Sequence, residues 1–206
     1  MHPGIYESVL DWIPHGARVL DLGTGDGAFL ERLVRAKRVA AEGVERNPEW
    51  VARCIQRGLV VHQGNIAEGL DQYGDQTFDY VLLLGTFQEL ISPAEIVREA
   101  FRVGRHIIIA YTNFAHYSVR LQILFRGRTP VTQSLPQPWY RTTNLHFLSI
   151  LDFREFCRQT GVSGIRHAYF NSRGRVRHFP NFLAEEVVTL AVAAPEGRRD
   201  EMPLRH

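Results

Sequence analysis

Val19-Leu-Asp-Leu-Gly-Thr-Gly-Asp-Gly27 is the stretch from which the fold can be read. Arg18 to Leu22 is a short run with Val19, Leu20 and Leu22 apolar, and it reads as a buried strand. It stops at Gly23, Gly25 and Gly27, after which Phe29, Leu30, Leu33 and Val34 recur at helical spacing. A strand, a glycine turn and a helix over 27–36 follow.

The same unit repeats outward. Strands are expected over 39–44, 59–63, 78–84 and 105–111, with a helix opened by Asn47-Pro48-Glu49 and another capped by Ser92 ahead of Pro93 and running to Val103. Upstream, Ile5, Val9, Trp12 and Ile13 mark a helix closed by Pro14. Strands alternating with helices form a parallel sheet with helices on both faces. Residues 112–150 break the rhythm. A helix over 152–161 and strands over 165–170 and 186–193 then suggest an antiparallel hairpin closing the sheet. The expected organisation is one domain over 1–194, with an insertion at 112–150 and a frayed polar tail at 195–206.

Composition narrows the class. With 45% apolar and 22% charged residues the chain is ordinary globular stock, not a disordered or collagen-like one. No run approaches the length of a membrane span, and the first residues lack the charged and apolar regions of a secretory signal, so a cytoplasmic location is expected. Cys54 and Cys157 stand among apolar residues with no C-x-x-C, and the nine histidines make no ligand pattern; buried thiols and no metal are expected. Charge is uneven. Residues 1–103 carry 15 acids against 10 bases, residues 104–206 carry 7 against 14, and no acid lies between Glu99 and Asp152. A cationic half can face an anionic partner, or be a solvated face.

The glycine turn invites a nucleotide. Read as Gly23-x-Gly25-x-x-Ala28 it would pass for a dinucleotide fingerprint, a weak signal alone. Its charges point elsewhere: Asp21 closes the strand and Asp26 stands in the turn, so two carboxylates flank the place of a pyrophosphate. Like charges in a crevice repel, whereas an amino group and a sulfonium are attracted. The ligand that fits is S-adenosylmethionine, or S-adenosylhomocysteine. Glu45, at the end of the second strand, is placed to accept from ribose hydroxyls. After the third strand, Asn65 can pair with the adenine edge through its carbonyl and amide, and Ile66 can cover the ring.

With Gly43-Val-Glu45, Gly64-Asn-Ile66 and Phe78-Asp-Tyr-Val-Leu82, the chain resembles the class I S-adenosylmethionine-dependent methyltransferases. More narrowly it resembles the MetW family of methionine biosynthesis, through Asn113-Phe-Ala-His116, Arg126-Gly-Arg-Thr-Pro-Val-Thr132, Leu135-Pro-Gln-Pro-Trp-Tyr140 and Thr143-Asn-Leu-His146. The resemblance covers about 10–165. It implies a Rossmann-like, mostly parallel seven-stranded sheet in the order 3-2-1-4-5-7-6, with the insertion after strand 5. It implies a cofactor site of Asp21, Gly23, Thr24, Gly25, Asp26, Glu45, Arg46, Asn65, Ile66 and Gly85. Thr24, Arg46 and Asn65 depart from the family's usual Cys, aliphatic and Asp. It also implies action with a MetX-type homoserine O-acyltransferase, for which the 112–150 segment is the expected contact.

No catalytic residue is identified. The loop after the fourth strand, Gly85-Thr86-Phe87-Gln88-Glu89, has Gln88 where related enzymes often carry a basic His, and Glu89 is a conceivable base or a solvated acid. Methyl transfer can proceed by proximity alone. Within 112–150, Phe114, Tyr117, Phe125, Trp139 and Tyr140 interleave with Arg120, Arg126, Arg128 and Arg141, and Val119 to Phe125 can form a short amphipathic helix. Such a segment is a partner surface or a lid. Its basic run is short and lacks a known RNA-binding motif, which argues against nucleic acid. Two functions stay open: a ligand-binding module that biases the acyltransferase, and a small-molecule methyltransferase.

Overall fold

The computed structural model describes residues 1–193, so the tail expected at 195–206 lies outside the described residues. Strands β1 (Arg18–Leu22), β2 (Ala40–Glu45), β3 (Val60–Gln63), β4 (Phe78–Leu84) and β5 (Gly104–Thr112) run parallel. β6 (Val162–Asn171) and β8 (Glu186–Ala193) complete the expected order, β8 lying antiparallel to both β5 and β6. The sheet has eight strands, β3-β2-β1-β4-β5-β8-β6-β7, because a short β7 (Gly174–Val176) adds an outer edge. The expected hairpin is therefore interrupted by β7 and by one turn of helix, α7 (Pro180–Leu183).

Helices cover both faces. On one side α1 (Pro3–Trp12) and α2 (Ala28–Lys37) bury Ile5, Val9, Leu30 and Leu33 against Val19, Leu82, Ile108 and Val188. On the other, α4 (Pro93–Val103) and α6 (Ile150–Thr160) bury Ile96, Val97, Phe153 and Cys157 against Leu20, Val81, Ile107 and Val187. Packing on both sides accounts for the apolar centres of β4, β5 and β8. α3 (Pro48–Gln56) begins where the Asn47 side chain accepts from the Glu49 N–H at 2.9 Å. α6 carries a full capping box, Ser149 with Asp152, and ends on left-handed Gly161. Ser92 departs from expectation: its side chain makes no cap at α4, and Pro93 alone shapes that start.

The 112–150 insertion leaves β5 through Asn113, which is 1% exposed and saturated. Its amide donates to the carbonyls of Asn181 and Ala184, and its oxygen accepts from Ala115 and Ile150. The segment then forms α5 (Tyr117–Arg126) and a long irregular return. Cys54 and Cys157 are buried free thiols, and no helix among the described residues is long and apolar enough to cross a membrane.

Candidate functional site

Between β1 and β4 the strand order reverses, and the chain leaves the two strand ends in opposite directions. A crevice at such a switch point is where open α/β sheets hold ligands. Gly23 and Gly85, directly after β1 and β4, flank it in the left-handed region, with φ of 87° and 84°. At Gly23 a Cβ would also run into the Thr86 hydroxyl, which donates to the Leu22 carbonyl at 3.0 Å. Only glycine fits.

Two cavities open at the crevice. One, of about 480 Å³, lies over the ends of β2, β3 and β4 and is lined by Glu45, Arg46, Asn65, Ile66, Gly85 and Glu89, among others. The other, of about 620 Å³, lies over the glycine turn and includes Tyr6, Asp21, Thr24, Gly25, Asp26 and Arg53. Gly23, Trp50 and Leu84 line both, so the two are lobes of one depression. All ten sequence-predicted site residues line one lobe or the other.

Their states differ from expectation in three places. Asp26 is not free. Its Oδ2 pairs at 3.2 Å with Arg57, a guanidinium shared with Glu31 at 2.7 Å, and its Oδ1 accepts from the Ala28 N–H at 3.1 Å, so its charge is partly offset. Both oxygens of Glu45 already accept from the backbone, Oε2 from Gly25 at 2.9 Å and Oε1 from Asn47 at 2.8 Å. Glu45 thus ties the glycine turn to the start of α3, keeping spare lone pairs for further donors. The Asn65 carbonyl, expected at an adenine edge, accepts from the Ala67 N–H at 3.1 Å and caps a turn of 3-10 helix, leaving its amide group for a ligand.

Asp21 is the exception that matters. It is 4% exposed, its carboxylate opens on the second lobe, and no hydrogen bond or ion pair among the described residues reaches it. Burial, reinforced by the nearby Glu45 charge, pushes its pKa up to about 7. The two carboxylates expected to guard the turn therefore reduce to one unpaired acid, poised near neutrality.

Sequence reading missed Trp50 and Arg53. Both project from the side of α3 that faces the turn, and the Trp50 ring lies 3.9 Å from where a Cβ on Gly25 would stand. An exposed aromatic in the first turn after the ribose-type acid was the available signal. Gln88 proves structural. Its amide donates to the Thr112 and His146 carbonyls and its oxygen accepts from the Thr112 N–H at 2.7 Å. Alongside it the Thr143 hydroxyl donates to Glu89, and the His146 ring meets the Leu90 carbonyl at 2.8 Å. The end of the insertion is thereby pinned along one wall of the first lobe, where Thr143 itself lines the cavity.

Solved structures share this architecture. An S-adenosylmethionine-dependent methyltransferase of Thermotoga maritima superposes with a TM-score of 0.66 at 19% identity, over 91% of this chain and 87% of that one. The (4+2)-cyclase SpnF superposes at 0.68 and 16% identity, over 93% and 81%. The fold thus carries more than one chemistry, and these likenesses speak for the fold alone. A sequence relative is more specific: the bifunctional methionine biosynthesis protein MetXA/MetW of Rhodopirellula baltica is 34% identical over 165 residues, 76% of this chain. The match spans only 26% of that longer protein. The family model described as methionine biosynthesis protein MetW runs along the chain from residue 5 to 192, through the glycine turn, the crevice and the insertion alike, and the chain belongs to the MetW family.

Proposed function

We propose that the chain binds S-adenosylmethionine or S-adenosylhomocysteine in the joined lobes and acts in methionine biosynthesis beside a MetX-type homoserine O-acyltransferase, whose activity the bound ligand biases. The observation that carries the ligand is Asp21. A buried, unpaired carboxylate opening on a cavity is costly as an anion and gains most from a cation. The ligand's amino-acid end belongs near Asp21 and the Gly23-Thr24-Gly25 turn, with Asp26 a weaker contributor at the rim. Its ribose belongs near Glu45, and its adenine between Arg46, Ile66, Gly85 and the Asn65 amide. A pyrophosphate would meet Asp21 and Glu45 with the wrong sign.

Support for the partner comes from the relative of Rhodopirellula baltica, whose name joins MetXA and MetW in one protein. Coupling requires that the ligand bind the free and partnered forms with different affinity. The wall formed by Glu89, Leu90 and Thr143 offers a route, because it belongs to the cavity and to the insertion together. The test is calorimetric titration of both ligands into the isolated protein and into its mixture with the acyltransferase. The reading expects saturable binding and a changed affinity in the mixture. No binding, or acyltransferase activity indifferent to protein and ligand, would contradict it.

A second reading, methyl transfer to a small acceptor, is favoured by Glu89, a carboxylate on the wall of the first lobe. Transfer of labelled methyl groups to a metabolite extract, abolished by Glu89→Gln, would support it.

A further inference from the structure

We propose that the outward face of α5 is the surface that docks the acyltransferase, and that it takes an apolar depression with an acidic rim. This rests on the partner reading above and adds where the partner sits and what chemistry it presents. Tyr117, Leu121, Leu124 and Phe125 recur at the spacing of one helical face, and all four are exposed, Leu124 by 73% and Phe125 by 77%. Val119, on the opposite side, is buried at 1%. The helix therefore meets the domain through one valine and turns its large apolar side chains to solvent. Phe182 extends the patch: its ring lies 5.7 Å from that of Tyr117, with the Arg120 guanidinium 5.7 Å above it. A contiguous exposed apolar face of this kind marks an interaction site.

Charge identifies the occupant. Arg120 borders the face, and Arg126 and Arg128 stand at and just beyond the end of the helix; none of them is in an ion pair among the described residues, and no acid occurs between Glu99 and Asp152. A second copy docked face to face would bring like charges together, a penalty that disfavours self-association here. A partner with acidic residues around an apolar centre meets both features. Aromatic, leucine and arginine side chains on one projecting helix supply the anchors and the rim of such a contact.

The test measures binding of the purified acyltransferase of the same organism to wild-type protein and to the double variant Leu124→Glu, Phe125→Glu. Both side chains are largely exposed, so the variant should keep its melting temperature and its S-adenosylmethionine affinity. Binding is expected to weaken by about 100-fold or more, the scale of a lost central anchor. Arg126→Ala with Arg128→Ala should slow association and flatten its salt dependence. Equal binding by wild type and the Leu124, Phe125 variant overturns this surface and leaves the functional reading standing. Failure of the wild type to bind the acyltransferase at all overturns the reading itself, and the surface with it. A wild-type dimer that the double variant splits into monomers would assign the face to a second copy and overturn the proposal.

Discussion

Asp21 couples the protonation of the crevice to the stability of the fold. An acid whose folded pKa lies above its unfolded value holds extra protons in the native state. Its favourable contribution is complete below the unfolded pKa of 3.8 and is lost as pH rises through the folded value of about 7. Each unit of that shift corresponds to about 1.4 kcal/mol. Asp21→Asn should therefore be more stable than wild type at pH 8, by about 2–4 kcal/mol in urea unfolding, with the difference closing towards pH 4. The same variant should bind S-adenosylmethionine about 100-fold more weakly, since a buried charge contact is replaced by a neutral amide. A second residue-scale test is Gly27→Ala. Gly27 has φ of 78°, and a Cβ there would stand 2.7 Å from Leu59 and 2.8 Å from the Cys54 sulfur. Left-handed strain and overpacking together should cost about 2 kcal/mol or more, read as a lowered denaturation midpoint.

At the scale of elements, the Gln88 clamp makes one prediction. Gln88→Leu keeps the volume but strips partners from the Thr112 N–H and the His146 carbonyl. A loss of about 1–3 kcal/mol is expected, with faster proteolysis of the 129–146 segment. Unchanged stability would mean that the insertion is held some other way. The strands were legible in the sequence because a strand covered on both faces has to be apolar where it is covered, as 81–84 and 107–111 are. β7 was not, since Gly174-Arg-Val176 has no pattern and pairs only because the turn after Asn171 folds it back onto the outer edge of β6. The site was legible by position and less so by state. That Asp21 ends a strand can be read locally. That Arg57 reaches back across 31 residues to take Asp26, or that Glu45 seizes the Gly25 N–H, depends on how α2 and α3 pack. Trp50 escaped for the same reason, because nothing nearby in sequence says that it leans over the turn.

For the whole molecule, ligand binding and folding are linked. A ligand held at 100 times its dissociation constant adds about 2.7 kcal/mol to stability, which for a chain of this size raises the melting temperature by about 5–10 °C. S-adenosylmethionine should produce such a shift and NAD should not, because only the former meets Asp21 with the opposite charge. The most direct measurement is calorimetric titration of S-adenosylmethionine at pH 7 in two buffers of different ionisation enthalpy. With Asp21 poised near pH 7, the cation should bind saturably and release about half a proton per molecule bound, a release that Asp21→Asn abolishes. Absence of saturable binding, or binding that takes up protons and is indifferent to Asp21→Asn, would contradict the account.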